Sequence, residues 1–254
     1  MIKFLKNIIK KVLSLYSLKL VNIHNEDDPD FPVETHKEIK KFINISNQFS
    51  MTGKKRMYLL SQAILNAKNL KLEGDFVECG VWRGGNILLY KLLNDFYKLD
   101  KSIYAYDTFD GMTNPEDVDR DYKGKLAIQD MKIQKKNEDE NNIHAFAKID
   151  TVKKNIAAYT NLEMIKFIKG PVEETLTKHE NLPSKISVLR LDTDWFKSTK
   201  IELEILYPKL VKGGVLIIDD YGYFEGARKA VNEYFKEKKW LHVVDQTCRY
   251  LIKD

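Results

Sequence analysis

Two apolar runs in the second half of this 254-residue chain end in paired acids. LRLDTD (189–194) closes on Asp192 and Asp194, and LIIDD (216–220) closes on Asp219 and Asp220. Such runs read as buried strands of a parallel sheet, and acids at their carboxyl ends fall where open α/β sheets bind ligands. Carboxylates gathered there repel one another unless a cation joins them. A ligand set made only of oxygen favours Mg2+, Ca2+ or Mn2+ over zinc. Such a cation lowers the pKa of a hydroxyl it holds, and a neighbouring carboxylate can then take the proton. A plainer expectation competes: the same acids would cap helices beginning near 198 and 224.

A second group of residues lies upstream. VECGVWRGGN (77–86) follows the apolar start of a strand and places Gly80, Gly84 and Gly85 at a strand-to-helix turn. Glycines there let a backbone approach a ligand closely, and the next helix presents free N–H groups. The spacing is GxxxGG, so it is neither the dinucleotide fingerprint nor a P-loop. A ligand with an amino group, a carboxylate and a sulfonium, such as S-adenosylmethionine, suits the turn: Glu78 would hold its cationic side, directly or through water. The alternative is a tight packing turn. Asp107 ends the next strand, SIYAYD (102–107), where an acid commonly accepts hydrogen bonds from both ribose hydroxyls.

These residues need a frame to bring them together. Strand and helix signals alternate from DFVECGV (75–81) onward: helix 86–99, strand 102–107, helix 151–160, strand 163–170, strand 186–194, helix 198–211, strand 214–220 and helix 225–237. Helices are also expected at 35–47 and 55–70. WLHVVD (240–245) and CRYLIK (248–253) are two last strands separated by Gln246 and Thr247, a connection that fits only antiparallel neighbours. The expected fold class is α/β: a mostly parallel seven-stranded sheet with one antiparallel strand near the C-terminus and helices on both faces. That is the Rossmann-like arrangement of class I methyltransferases, although a fold alone does not fix a function. Residues 112–150 are polar and too long for an ordinary loop, so they read as a lid or a partly disordered insertion.

Composition narrows the partners. Hydrophobic residues make up 43% and charged residues 31%, enough to build a core in one large domain. The net charge of +5 is spread among acids, and no nucleic-acid-binding motif accompanies it, so a nucleic-acid partner is not expected. Two distant cysteines imply a reducing, cytoplasmic setting rather than a disulfide framework. Residues 1–20 carry lysines among apolar residues at helical spacing, followed by an acidic linker to residue 34. The lysines exclude a span of about 20 apolar residues. The segment reads as an amphipathic helix that packs on its own domain, on a second subunit, or peripherally on a membrane. The methyltransferase domain is expected over 35–254.

GDFVECGVWRGG (74–85), YAYDTFDGM (104–112), KGPVEETL (169–176), LRLDTDWFKST (189–199), LYPKL (206–210) and GGVLIIDDYGYFEGARKAV (213–231) together resemble the TylF/MycF family of macrocin-type, metal-dependent sugar O-methyltransferases, from about residue 50 to 236. The resemblance implies S-adenosylmethionine as methyl donor and Mg2+ as metal, with Asp192, Asp219 and Asp220 as metal ligands. It implies Asp192 as the catalytic base, with Asp194 as second choice. It points to Asp107 at the ribose and Glu173 near the adenine, although Glu174 is adjacent. Val81, Arg83, Gly84, Gly85 and Thr108 belong to the same cofactor-binding blocks. Family members are often dimers or larger, so a homo-oligomer is expected. Catechol-type O-methyltransferases share the layout of one acid and then an adjacent pair, but their lysine base falls here on Trp195. The lid departs from the family after GMTNPEDVD, so the namesake macrolide acceptor is not carried over; a small-molecule or glycan acceptor is. Two alternatives remain: a catechol or phenol O-methyltransferase, and a catalytically silent scaffold, which would have no need to tolerate so many acids.

Overall fold

The computed structural model describes residues 31–137, 139, 142–236 and 239–254. The amphipathic segment expected at 1–20, with its membrane and subunit contacts, and most of the acidic linker lie outside the described residues. Two helices, α1 (Lys37–Ser46) and α2 (Lys54–Asn69), precede the sheet. Then come β1 (Asp75–Cys79), α3 (Gly85–Tyr97), β2 (Ile103–Asp107), α4 (Ala127–Ile133), α5 (Ile149–Ala157), β3 (Ile165–Lys169), the short α6 (Val172–Thr175) and β4 (Ile186–Leu191). The chain closes with α7 (Phe196–Leu206), β5 (Leu210–Ile218), α8 (Glu225–Tyr234), β6 (His242–Val243) and β7 (Arg249–Ile252).

The seven strands lie in the order β3-β2-β1-β4-β5-β7-β6, and β7 alone runs against its neighbours. The last connection is longer than the sequence indicates, residues 244–248 rather than two. Asp245 closes it by accepting the N–H groups of Thr247 and Cys248, each at 2.9 Å. The helix expected over 198–211 ends at Leu206, because Pro208 cannot continue it, and β5 starts four residues earlier than its apolar run.

Strand alternation sorts the inner residues between two faces. Val77 and Cys79 of β1 and Leu189 and Leu191 of β4 face Leu203 and Leu206 of α7. Phe76 faces the opposite side and stacks on Tyr90 of α3 at 5.3 Å. The same side receives Glu78 and Arg190, which stand directly opposite each other in the β1–β4 register. An acid and a base inside two adjacent buried strands must satisfy each other, since either charge alone there costs several kcal/mol.

The 112–150 insertion has structure of its own. Its ends meet where Met112 N–H donates to the His144 carbonyl at 2.7 Å. A hairpin bridged at Arg120 and Leu126 leads into α4, and Asp121 bridges to Phe224 ahead of α8. Asp119 is fully buried and caps α7 from outside, accepting from Phe196 N–H at 2.8 Å and from Glu116 N–H at 2.7 Å. Residues 36–254 form one compact unit. No helix among the described residues is long and apolar enough to cross a membrane.

Candidate active site

The carboxyl ends of β1, β2, β4 and β5 open on one cavity of about 270 Å3. Its wall includes Gly80, Asp107 and Thr108 on one side and Asp192, Asp194, Asp219 and Asp220 on the other. Glu173 and Gly170, after β3, extend the first side, and Thr52 and Arg56 from the start of α2 extend the second.

Arg190 organises the acidic half. Its guanidinium is 2% exposed and donates to Glu78 at 2.5 Å, Asp192 at 2.8 Å and the Thr52 hydroxyl at 2.8 Å; it also lies 2.7 Å from Asp219 Oδ1. Arg56 grips the same aspartate from the other side. It donates from Nη1 to Asp219 Oδ2 at 2.5 Å, from Nε to Asp245 at 2.7 Å and from Nη2 to the Thr247 hydroxyl at 2.6 Å. Burial works to raise the pKa of Asp219, but Arg190 and Arg56 outweigh it and hold the carboxyl below its usual range.

The sequence suggests Asp192, Asp219 and Asp220 as a metal set. In the fold, Asp192, Asp194 and Asp220 each bring one oxygen within 4.8 Å of the others, while Asp219 faces the two guanidiniums. Burial raises the pKa of Asp192 and Asp220 well above the ordinary value. Asp194 is pushed up to about 8 by burial and then by the charge of Asp192. With all acids ionised, Glu78, Asp192, Asp194, Asp219 and Asp220 stand against Arg56 and Arg190, five charges against two. An all-oxygen triad with excess negative charge fits a hard divalent cation. None of these acids caps a helix: the capping positions of α7 and α8 are Trp195 and Phe224, which make no side-chain cap, and Asp119 does that work for α7. Asp194 holds a left-handed backbone, φ +66°, that costs a non-glycine residue about 1–3 kcal/mol.

On the other side, the glycine turn is both a packing turn and a ligand wall. Gly80 lines the cavity with φ +86°, and a Cβ there would overlap the Asp192 backbone carbonyl. Gly84 and Gly85 pack away from it, against Val152 and against the backbone at the end of α1. Val81 and Trp82 donate their N–H groups to Asp107 Oδ2 at 2.6 and 3.0 Å, and Phe109 N–H donates to Oδ1 at 2.6 Å. Oδ2 therefore accepts two N–H groups, and Oδ1 accepts one and has the Thr108 hydroxyl 3.4 Å away, so Asp107 has at most one position left for a ligand hydroxyl. Burial raises its pKa, and these backbone bonds offset part of the rise. The Thr108 hydroxyl donates to Gly111 at 2.6 Å. Glu173 lines the cavity with a buried Oε2 that has no partner, while Glu174 is exposed, which separates the two candidates. Glu78 is not in the cavity wall: Arg190 and Asn86 hold its Oε1, and burial raises its pKa to about 7 against the pull of Arg190. Arg83 lies outside the wall too, 5.3 Å from the Trp82 ring.

Sequence reasoning passed over Arg190, Arg56, Thr52, Asp119 and Asp245. Arg190 alone left a signal, a lone cation in an otherwise apolar strand whose neighbour carries Glu78. Arg56 left none, since it lies 163 residues from Asp219 in an ordinary helix start.

This strand order, with a cofactor-sized cleft between a glycine turn and an acid cluster, defines a class I methyltransferase. The chain matches the macrocin O-methyltransferase (TylF) family over residues 22–253 and belongs to that family. It is a transferase, an S-adenosylmethionine-dependent O-methyltransferase. It is 31% identical over 191 residues to demethyldecarbamoylnovobiocin O-methyltransferase of Streptomyces niveus, covering 74% of this chain and 68% of that protein. It is 28% identical over 218 residues to mycinamicin III 3''-O-methyltransferase of Micromonospora griseorubida, covering 82% and 74% respectively. The solved structure of the O-methyltransferase NovP superposes with a TM-score of 0.68 at 28% identity, covering 81% of this chain and 82% of that one.

Proposed function

We propose that this enzyme methylates a hydroxyl of a sugar, with a divalent cation, Mg2+, held by Asp192, Asp194 and Asp220. The carrying observation is the approach of those three carboxylates to within 4.8 Å in the cavity that Gly80 and Asp107 also line. A further relative, 30% identical over 196 residues, is named 8-demethyl-8-(2,3-dimethoxy-alpha-L-rhamnosyl)-tetracenomycin-C 4'-O-methyltransferase, which supports a sugar hydroxyl over a catechol.

S-adenosylmethionine would supply an electrophilic sulfonium methyl, held along Gly80, Asp107, Thr108 and Glu173. Asp107 takes one ribose hydroxyl on its open lone pair, and Glu173 Oε2 accepts from a ligand donor. A divalent cation at the triad would lower the pKa of an acceptor hydroxyl. Asp194 is the better proton acceptor of the two candidates. One oxygen of Asp192 is taken by Arg190, whereas Asp194 has no ion-pair partner among the described residues and keeps an oxygen open to a proton. Asp219 serves as the anchor between Arg56 and Arg190, and Arg190 also reaches the triad at Asp192.

Calorimetric titration with S-adenosylhomocysteine tests the donor half: micromolar binding is expected, lost in Asp107→Ala. Mn2+ titration followed by EPR tests the metal half. Asp194→Asn should weaken Mn2+ at least tenfold and Asp219→Asn much less; the reverse order would return Asp219 to the ligand set and remove Asp194 from it.

A further inference from the structure

We infer that Tyr122 and Tyr223 form the wall against which the acceptor's sugar ring stacks, an inference that rests on the proposed sugar O-methylation. Along the sheet edge the order of site residues is Glu173, Asp107, Gly80, then Asp192 and Asp194, then Asp219 and Asp220. The first three strands carry the donor's contacts. An acceptor that reaches the acids must therefore lie over β4 and β5 and the loop that leaves β5.

That loop is short and fixed. Tyr223 and Phe224 donate their N–H groups to the Asp220 carbonyl at 3.0 and 3.1 Å, so the Tyr223 ring stands one turn from the acid. The insertion hairpin docks on the same loop through the bridge of Asp121 to Phe224 and through Glu225 N–H to the Arg120 carbonyl at 2.8 Å. Docking puts Tyr122 against Tyr223, ring centroids 5.5 Å apart and planes at 63°. Behind them Tyr223 meets Phe224 at 4.7 Å, and Phe224 meets Trp195 at 4.9 Å. The row runs from the core to solvent: Trp195 and Phe224 are 2% and 7% exposed, Tyr223 and Tyr122 37% and 56%. Exposed rings usually gain little from being held so firmly. Here two are braced on buried aromatics with their planes at 63°, on the loop that follows Asp220. The flexible Lys123 side chain, 5.3 Å from the Tyr122 ring, is the cation that crosses that face. The apolar C–H face of a pyranose fits such a corner, and the two ring hydroxyls then turn toward the acids.

The test uses the full chain with bound S-adenosylhomocysteine and Mg2+, and methyl α-L-rhamnopyranoside as probe. Its dissociation constant is read by saturation-transfer NMR. Tyr122→Ala and Tyr223→Ala should each weaken the probe roughly tenfold, Tyr223→Phe should stay within about twofold because stacking needs no hydroxyl, and S-adenosylhomocysteine affinity should not move in any of them. Wild-type protein that binds S-adenosylhomocysteine yet gives no rhamnoside signal would overturn the stacking wall and leave the methyl-donor reading standing. So would alanine variants that bind the probe as wild type does, or a Phe variant as weak as the Ala one. Failure of S-adenosylhomocysteine to bind would overturn the parent reading and this inference with it.

Discussion

Replacing Arg190 by methionine is the sharpest test of how the acidic site is held. The change keeps most of the side-chain length and removes the guanidinium, which is 2% exposed and within 2.5–2.8 Å of Glu78, Asp192 and Asp219. Removing one partner from a buried ion pair costs about 3–5 kcal/mol, because the surviving charge stays buried and uncompensated. Here three carboxylates lose a shared counterion and Thr52 loses a donor, so the upper half of that range is expected. For a domain of this size each kcal/mol shifts Tm by roughly 2–4 °C, so the drop should be roughly 8–20 °C. The loss should also depend on pH. Without Arg190 the three acids take folded pKa values above their unfolded ones, and their contribution is complete below the unfolded value and lost as pH rises through the folded one. The gap to wild type should therefore widen between pH 5 and pH 8. Urea unfolding followed by circular dichroism, in EDTA at both pH values, measures it. Arg190→Lys, which keeps a charge but not the fork, should fall between. A gap below about 1 kcal/mol, or one flat with pH, would refute the argument that Arg190 is the counterion of this cluster.

Gly80→Ala adds a Cβ at φ +86° that meets the Asp192 carbonyl, and left-handed strain plus overpacking should cost about 2–5 kcal/mol in chemical denaturation. Metal-free wild type should itself lose stability between about pH 4 and pH 8. Burial, opposed by Arg190, raises Glu78 to about 7, and burial and Asp192 raise Asp194 to about 8, so the stability these groups contribute at low pH disappears as pH climbs through those values. Mg2+ should then raise Tm more at pH 8.5 than at pH 6, since cation and protons compete for the same oxygens; a Tm that rises with pH without metal would contradict this. Asp119→Ala removes the cap of α7 and the peg of the insertion, and should cost about 1–2 kcal/mol in the same unfolding assay and open the 112–136 segment to limited proteolysis.

Local chemistry wrote much of this protein into its sequence. Alternating apolar runs fixed the α/β class, and the short gap before CRYLIK already required an antiparallel last strand, because even the five residues it takes in the fold are too few for a parallel crossover. Paired acids at the ends of LRLDTD and LIIDD marked the sheet edge, and the glycines at 80, 84 and 85 marked the turn beside it. Those signals are readable because each depends on neighbours a few residues away. Which acids share a point in space does not. Asp219 and Asp220 are adjacent in sequence, yet successive residues point apart, and the fold sends one to Arg56 and Arg190 and the other to Asp192 and Asp194. Glu78 sits beside the glycine turn but alternates to the far face of β1, where its cross-strand neighbour is Arg190. Arg56, Asp119 and Asp245 reach the site from 163, 77 and 189 residues away from their partners, separations over which no periodicity carries information. The sequence by itself set the sheet, its edge and the chemistry available there. Only the tertiary structure decided which charges meet, because the pairings that burial favours join residues far apart in the chain.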